Sequence, residues 1–361
     1  MTSQAVPGAG WRRAGGSDVT PQTRKRRRKG GGGGWGGGGR EAAMVPEAEF
    51  TSYYGRNIVK PATWKNPEVP LYLFLGGMAG TSSVIGALGE FTRRPALAKA
   101  AHFTAAGGAL ASVGLLIVDL GRPMRFLHML RVFKPTSPLS VGSYILSPFS
   151  ALTVATAGLH ALPWFPAVRA MKLARWIPAL RKGAAVGASV FGGPMTTYTA
   201  VLLANTASPS WHEPHDELPF LFAGSAMAAG GGLTMALAPV AEAGPSRRVA
   251  VAGALVELAA AHKIEHGHGI VSEPYKIGRA GTLLRAAKAC TVSGAGMSVL
   301  AGRSRLAAVA SGTLLAAGSL LTRFGVFDAG MASAKDPKYT VIPQRERMAA
   351  RQNGHAPSVT A

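Results

Sequence analysis

Two carboxylates stand in runs of sequence that are otherwise apolar. Asp119 ends the run GLLIVDL and is followed by Gly121, Arg122, Pro123 and Arg125, with His128 three residues further on. A carboxylate with a guanidinium nearby can hold a polar headgroup or relay a proton. The same residues also fit a plainer role, a local salt bridge over a helix end with a proline-enforced turn. Glu257 interrupts ALVELAAAHKIEHGHG, ahead of His262, Glu265, His266 and His268. An ionisable side chain near the centre of a membrane helix costs at least about 2.5 kcal/mol, which makes Glu257 the best single candidate for a buried acid. His262 and His266 are spaced i, i+4, as a metal-binding pair would be. Among Lys263 and Glu265 they equally fit a solvated cluster where a helix leaves the membrane.

Tyr198, in TTYTAVLLAN, is a phenol among Thr196, Thr197 and Thr199. A buried tyrosine hydroxyl takes a partner, either a neighbouring helix carbonyl or a ligand carbonyl such as a quinone's. The loop TASPSWHEPHDELP, with no Lys or Arg, reads as an interfacial segment anchored by Trp211. Cys290 is the single cysteine, so the chain forms no internal disulfide, no Cys-ligated iron–sulfur cluster and no thiolate zinc site. Haem ligation needs histidines deep on facing helices. Only His102 and His160 approach that depth, from segment ends, so neither haem nor a resident metal is expected.

The elements that must position these residues follow from the distribution of charge. The 361 residues include 39 Lys+Arg and 17 Asp+Glu, a formal net charge of +22, which by itself suggests nucleic acid. Yet only 16% of residues are charged, 47% are hydrophobic and 47 are Gly, against about 25% charged in an ordinary soluble protein. The cations are therefore concentrated, and a nucleic-acid partner is not expected. Residues 1–65 hold RKRRRK and a glycine run and read as a disordered basic tail, suited to anionic headgroups. No apolar stretch follows the basic residues as a signal peptide requires, and Met44 is a second candidate start.

Beyond Pro67 come eight apolar stretches near the roughly 20 residues that span a bilayer: 69–88, 102–120, 141–162, 183–205, 218–240, 248–263, 284–300 and 306–327. The sixth and seventh are weakest, one holding Glu257 and the other opening with Arg285 and Lys288. Several are apolar all the way round and rich in small residues, which favours close helix packing in lipid over a soluble fold. The expectation is an all-α, multi-pass membrane bundle of about eight helices over 66–330, with a polar C-terminal tail over 331–361. An even number puts both termini on one side, while Lys and Arg in the loops nearly balance, leaving orientation open.

The phrase VDLGRPMRFLHMLRVFKPTSPLSVGSYIL (118–146) resembles the signature of the NrfD/PsrC family, membrane subunits of polysulfide and related reductases. There an Asp-Leu-Gly-Arg-Pro turn leaves the second helix and Ser-Pro-x-Ser-x-Gly-Ser enters the third. PLYLFLGGMAG (70–80), TYTAVLLANTASPSWHE, LPFLFAGSA and TRFGVFDAG with SAKDPKYTVIPQRER extend the resemblance over roughly residues 50–347. It implies a haem-free, eight-helix subunit of a bacterial cytoplasmic-membrane oxidoreductase that exchanges electrons with quinone or menaquinol. A ferredoxin-like four-cluster iron–sulfur subunit and a molybdopterin catalytic subunit would dock on it. The resemblance also implies that quinone lies against the first helix, near Gly76 or Gly77, and against the tyrosine matched by Tyr198. Where some members carry Asn one turn before that glycine, this chain has Tyr72 or Leu73. Asp119 and Arg122 match the signature directly, and Glu257 resembles an acidic position of the sixth helix.

The expected mechanism has Tyr198 donating to a quinone carbonyl, Asp119 with His128 exchanging protons, and Arg122 stabilising negative charge. Two other classes remain: a secondary transporter or proton-conducting bundle using Glu257 and Asp119, and a purely structural anchor. No internal repeat of the kind that marks many transporters is evident. The substrate of the partner enzyme, the quinone type and the direction of electron flow stay open.

Overall fold

The computed structural model describes residues 57–121 and 124–352. Most of the expected basic tail, and Arg122, lie outside the described residues. Eight helices of twenty or more residues dominate: α1 (Glu68–Phe91), α2 (Pro95–Leu120), α4 (Pro138–Ala161), α6 (Ile177–Ala204), α8 (Glu217–Leu237), α9 (Gly244–Gly267), α10 (Gly278–Met297) and α11 (Arg305–Lys335). Short helices α3 (Met124–Met129), α5 (Pro166–Ala170) and α7 (Pro209–His212) lie in connections, and α12 (Lys338–Gln352) follows the bundle. The chain is an all-α polytopic membrane protein.

Five of the eight, α1, α2, α4, α8 and α11, are long and apolar enough to cross a bilayer. The other three carry more charge, in α10 the exposed Arg285 together with Lys288, which pairs with Glu265. In α6, Arg181 and Lys182 fall in the first two turns; in α9, Arg247, Arg248, Lys263 and Glu265 lie towards the ends and Glu257 turns inward. Mid-helix, these elements expose Val190, Leu255 and Val292, apolar side chains suited to lipid.

The helices form two rings of four. Helix α1 packs on α2, α2 on α4, α4 on α6 and α6 on α1; α8, α9, α10 and α11 close a second ring in the same way. The rings meet where α1 runs parallel to α8, and Arg323 on α11 reaches the backbone of Gly77. No hydrophobic effect drives helices together in lipid, so close backbone approach carries the packing. A Cβ on Gly80 would stand 2.6 Å from the Gly192 carbonyl oxygen, and one on Gly224 2.5 Å from the amide of Glu257. The two ends of the bundle tie together on one face, where Asn66 Nδ2 donates to Asp328 Oδ1 at 3.2 Å.

Trp211 departs from expectation. Instead of anchoring among headgroups it is fully buried, and its Nε1 donates to the Val326 carbonyl at 2.7 Å, with Trp64 and Phe327 against its ring. Gly330 makes this possible, since any side chain there would collide with the indole. The indole satisfies its donor inside the protein, which an interfacial position would not require.

Candidate functional site

Antiparallel packing of α1 and α2 brings the first turns of one against the last turns of the other, and the C-terminal half of α6 completes the cluster. Tyr72 on α1, Asp119 on α2 and Tyr198 on α6 all lie at this end of the first ring, with Tyr72 and Tyr198 in one apolar cluster. Tyr72 is buried and Asp119 half-buried, its Oδ1 accepting the Lys65 amide at 3.3 Å. The Tyr198 ring lies flush on α4, where a Cβ at Gly142 would stand 2.5 Å from its Cε2. Leu116, Leu146, Leu203 and Trp64 wall the cluster. Such a set, two phenols and a carboxylate inside apolar walls at a helix end, can bind carbonyl oxygens and pass protons.

The other residues singled out by sequence are placed differently. The space over Gly76 is taken by Met195 and Ser112, and Gly77 faces Ala226 and Arg323. Both glycines therefore serve helix approach in the structure. His128 is exposed on α3. His262 and His266 stack at 4.4 Å on the exposed side of α9, while His268 reaches Glu217 at 3.2 Å.

Glu257 occupies the second ring, buried, with Thr322 Oγ1 donating to its Oε1 at 2.6 Å. Ser225 on α8 and Thr291 on α10 lie close by, but Ser225 donates to Ser319 at 2.7 Å and, among the described residues, only Thr322 bonds the carboxylate. Beside it lies a cavity of about 20 Å³, lined also by Tyr275, Glu265 and Lys288, which is room for about one water. Arg323, adjacent in α11 to Thr322, is wholly buried. Its Nη2 donates to the Phe222 carbonyl at 2.8 Å and its guanidinium covers the Phe222 ring at 3.7 Å. Its Nε and Nη1, like Glu257 Oε2, find no protein partner. Sequence reading passed over Arg323, although a cation inside SLLTRFGVF was a visible signal.

The first ring has its own carboxylate, at the opposite end. Glu90 accepts from Arg181 Nε at 2.7 Å and Nη2 at 3.1 Å, with His160 Nε2 at 3.1 Å and His102 Nε2 at 3.7 Å from Oε1. Here one residue comes from each of the four helices. From Tyr72 to Glu90 is eighteen residues of α1, about 27 Å of helix, so the clusters lie near opposite membrane faces. Ligand atoms of Glu90, His102 and His160 lie within 4.8 Å of one another, a donor set zinc accepts. Arg181, however, fixes a positive charge on both carboxylate oxygens, which suits an ion network better than a metal. Each of the four residues sits at a segment end where charge is ordinary, so no sequence signal singles out the group.

On the face that carries Tyr72, Lys338 Nζ stands 2.9 Å from Glu273 Oε2 and Tyr339 donates its hydroxyl to the same oxygen at 3.1 Å. The ammonium holds the Glu273 carboxyl below its ordinary range and is itself raised by that bond. These contacts dock α12 on the 3₁₀ segment Gly269–Tyr275.

No curated protein sequence matches the chain. A family model described as polysulfide reductase, of the NrfD type, matches residues 50–335, a span that takes in both rings and all three polar clusters. With eight long helices, and with the Asp119 turn and Tyr198 meeting at one end of the first ring, the chain belongs to the NrfD-type polysulfide reductase family of membrane subunits.

Proposed function

We propose that this chain is the quinone-exchanging membrane subunit of a bacterial oxidoreductase, binding quinone or menaquinol at the Tyr72–Tyr198–Asp119 cluster and docking an iron–sulfur subunit that serves a molybdopterin catalytic subunit. The observation that carries this reading is the placement of those three side chains, from three helices, at one end of the first ring. A quinone carbonyl accepts from the Tyr198 hydroxyl, and Tyr72 flanks the headgroup from α1. Asp119, half-buried at a helix end, lies between the apolar cluster and the water of its own face, where a carboxylate can relay protons. Arg122, three residues on in the chain, supplies positive charge for the reduced headgroup. The single cysteine leaves iron–sulfur ligation to the partner subunits.

The test is Asp119→Asn in the assembled complex, with quinol-driven reduction of the partner enzyme as the readout. Activity falls by two orders of magnitude or more while the subunits still co-purify. Activity retained near the native level overturns the proton role of Asp119.

A second reading, proton conduction accompanying or replacing quinone exchange, has one observation in its favour. Glu257 is buried beside a cavity with room for about one water, also lined by the Glu265–Lys288 ion pair. Proteoliposomes of the chain alone, assayed for proton flux under an imposed gradient, separate the two readings.

A further inference from the structure

The face opposite Tyr72 carries a cleft of about 620 Å³ between the starts of α2 and α6 and the end of α1. Arg93, Arg94, Lys99, Arg181 and Lys182 line it, against one carboxylate, Glu90. That carboxylate is already taken, since Arg181 holds both its oxygens and the two histidines crowd Oε1. Among the described residues Arg93, Arg94 and Lys182 have no acidic partner, and Lys99 rests over the Trp164 ring at 4.9 Å. The cleft thus gathers four cations without an acidic partner around one carboxylate that is already bound.

Three further features point the same way. Pro95 and Pro178, in the first turns of α2 and α6, border the cleft, and the N-caps Arg94 and Trp176 make no side-chain capping bond. The positive ends of two long helices therefore face this space as well. His160, with an imidazole nine-tenths buried, lines the cleft. Arg93 holds φ +55°, a left-handed conformation just after a helix end that glycine adopts more easily. An arginine kept at a glycine position indicates a use for its side chain.

The surroundings decide what kind of anion fits. Phe91, Trp164, Phe165 and Trp176 are 53–62% exposed at this end of the bundle, and exposed aromatics of this kind settle at headgroup depth. The cations therefore open at the level of lipid phosphates, beside surface that faces acyl chains. We propose that this cleft is a binding site for the phosphate of an anionic phospholipid, held by Arg93, Arg94 and Lys182 with Lys99 at its edge.

The test uses the purified full-length chain in detergent, native mass spectrometry, and three probes: phosphatidylglycerol, phosphatidylcholine and inorganic phosphate. The wild-type chain retains phosphatidylglycerol at least tenfold over phosphatidylcholine, and millimolar inorganic phosphate does not displace it. Arg93→Gly lowers that retention severalfold, yet its melting temperature in lipid-free detergent stays level or rises because the backbone is relieved. Arg93→Gly with Lys182→Gln lowers retention at least tenfold, while Arg285→Gln, on the exposed side of α10, leaves it unchanged. Equal retention of the two lipids overturns the proposal, as does wild-type retention by the double variant. Ready displacement by inorganic phosphate also overturns it, assigning the cleft to a soluble anion.

Discussion

The Thr322 hydroxyl donates to Glu257 at 2.6 Å, while the next residue, Arg323, points its guanidinium at the ring and carbonyl of Phe222. Consecutive positions on α11 thus serve two different helices, Thr322 reaching α9 and Arg323 reaching α8. The buried acid and the buried base make no direct ion pair, although each is the nearest opposite charge the other has in the core of the second ring.

Removing the base alone is expected to be worse than removing both charges. Arg323→Leu leaves Glu257 without a counter-charge; because the two make no direct pair, the destabilisation is expected to stay below the about 3–5 kcal/mol of a broken buried ion pair. Arg323→Leu with Glu257→Gln recovers much of that loss. Thermal unfolding in detergent of the two singles and the double checks this, and equal destabilisation of single and double shows that the residues do not sense one another.

Tyr198→Phe removes one hydroxyl from the proposed quinone cluster and leaves the ring on Gly142. Loss of a single buried hydrogen bond is worth about 1–3 kcal/mol, so affinity for a quinone analogue is expected to weaken roughly tenfold or more. Titration of the purified complex by tryptophan fluorescence quenching measures it. Unchanged affinity places the headgroup elsewhere.

Gly224→Ala inserts a methyl 2.5 Å from the Glu257 amide and 2.8 Å from the Gly253 carbonyl. Neither is a flexible side chain, so α8 and α9 must move apart, with an expected destabilisation of about 1–3 kcal/mol. Gly193→Ala on α6, where a Cβ meets nothing within 4 Å, is the matched control. It is expected to be neutral or stabilising by up to about 1 kcal/mol. Chemical or thermal unfolding of the two variants distinguishes packing from propensity.

The docking of α12 is expected to depend on pH in one direction near the acid limit. Glu273 is held below its ordinary value of 4.5 by Lys338, so the stabilisation it provides is complete above that value and disappears as pH falls through the lowered one. Lys338, raised above 10.5, keeps its side of the contact until strongly alkaline pH. A spin label at position 348, in a Cys290→Ala background, is expected to be immobile at neutral pH and to loosen only as pH falls below the ordinary carboxylate value of 4.5. Lys338→Met loosens it at neutral pH.

The helices were legible because lipid imposes a simple demand, a long apolar run with small residues at the seams. The sixth and seventh runs looked weak because of charges that the structure places in two ways: Glu257 turns into the ring and Lys288 pairs with Glu265, while Arg285 stays exposed. Tyr198, Asp119 and Glu257 stood out as polar groups in apolar sequence. Glu90, His102, His160 and Arg181 did not, because each alone is an unremarkable helix-end residue and only the meeting of four ends makes a cluster. Trp211 was misplaced for a related reason: its loop is polar, and nothing local indicates that Gly330, over a hundred residues away, leaves a slot for the indole.

Tyr72 and Glu90 belong to one helix and stand at its two ends, about 27 Å apart. A unit charge carried over that distance works against nearly the whole transmembrane voltage, about 2.3 kcal/mol per 100 mV. A proton exchanged between Asp119 and the water of its own face works against almost none. Whether turnover charges the membrane capacitor is thus set by which end of α1 exchanges protons with bulk water, and a current recorded from oriented vesicles reads that directly.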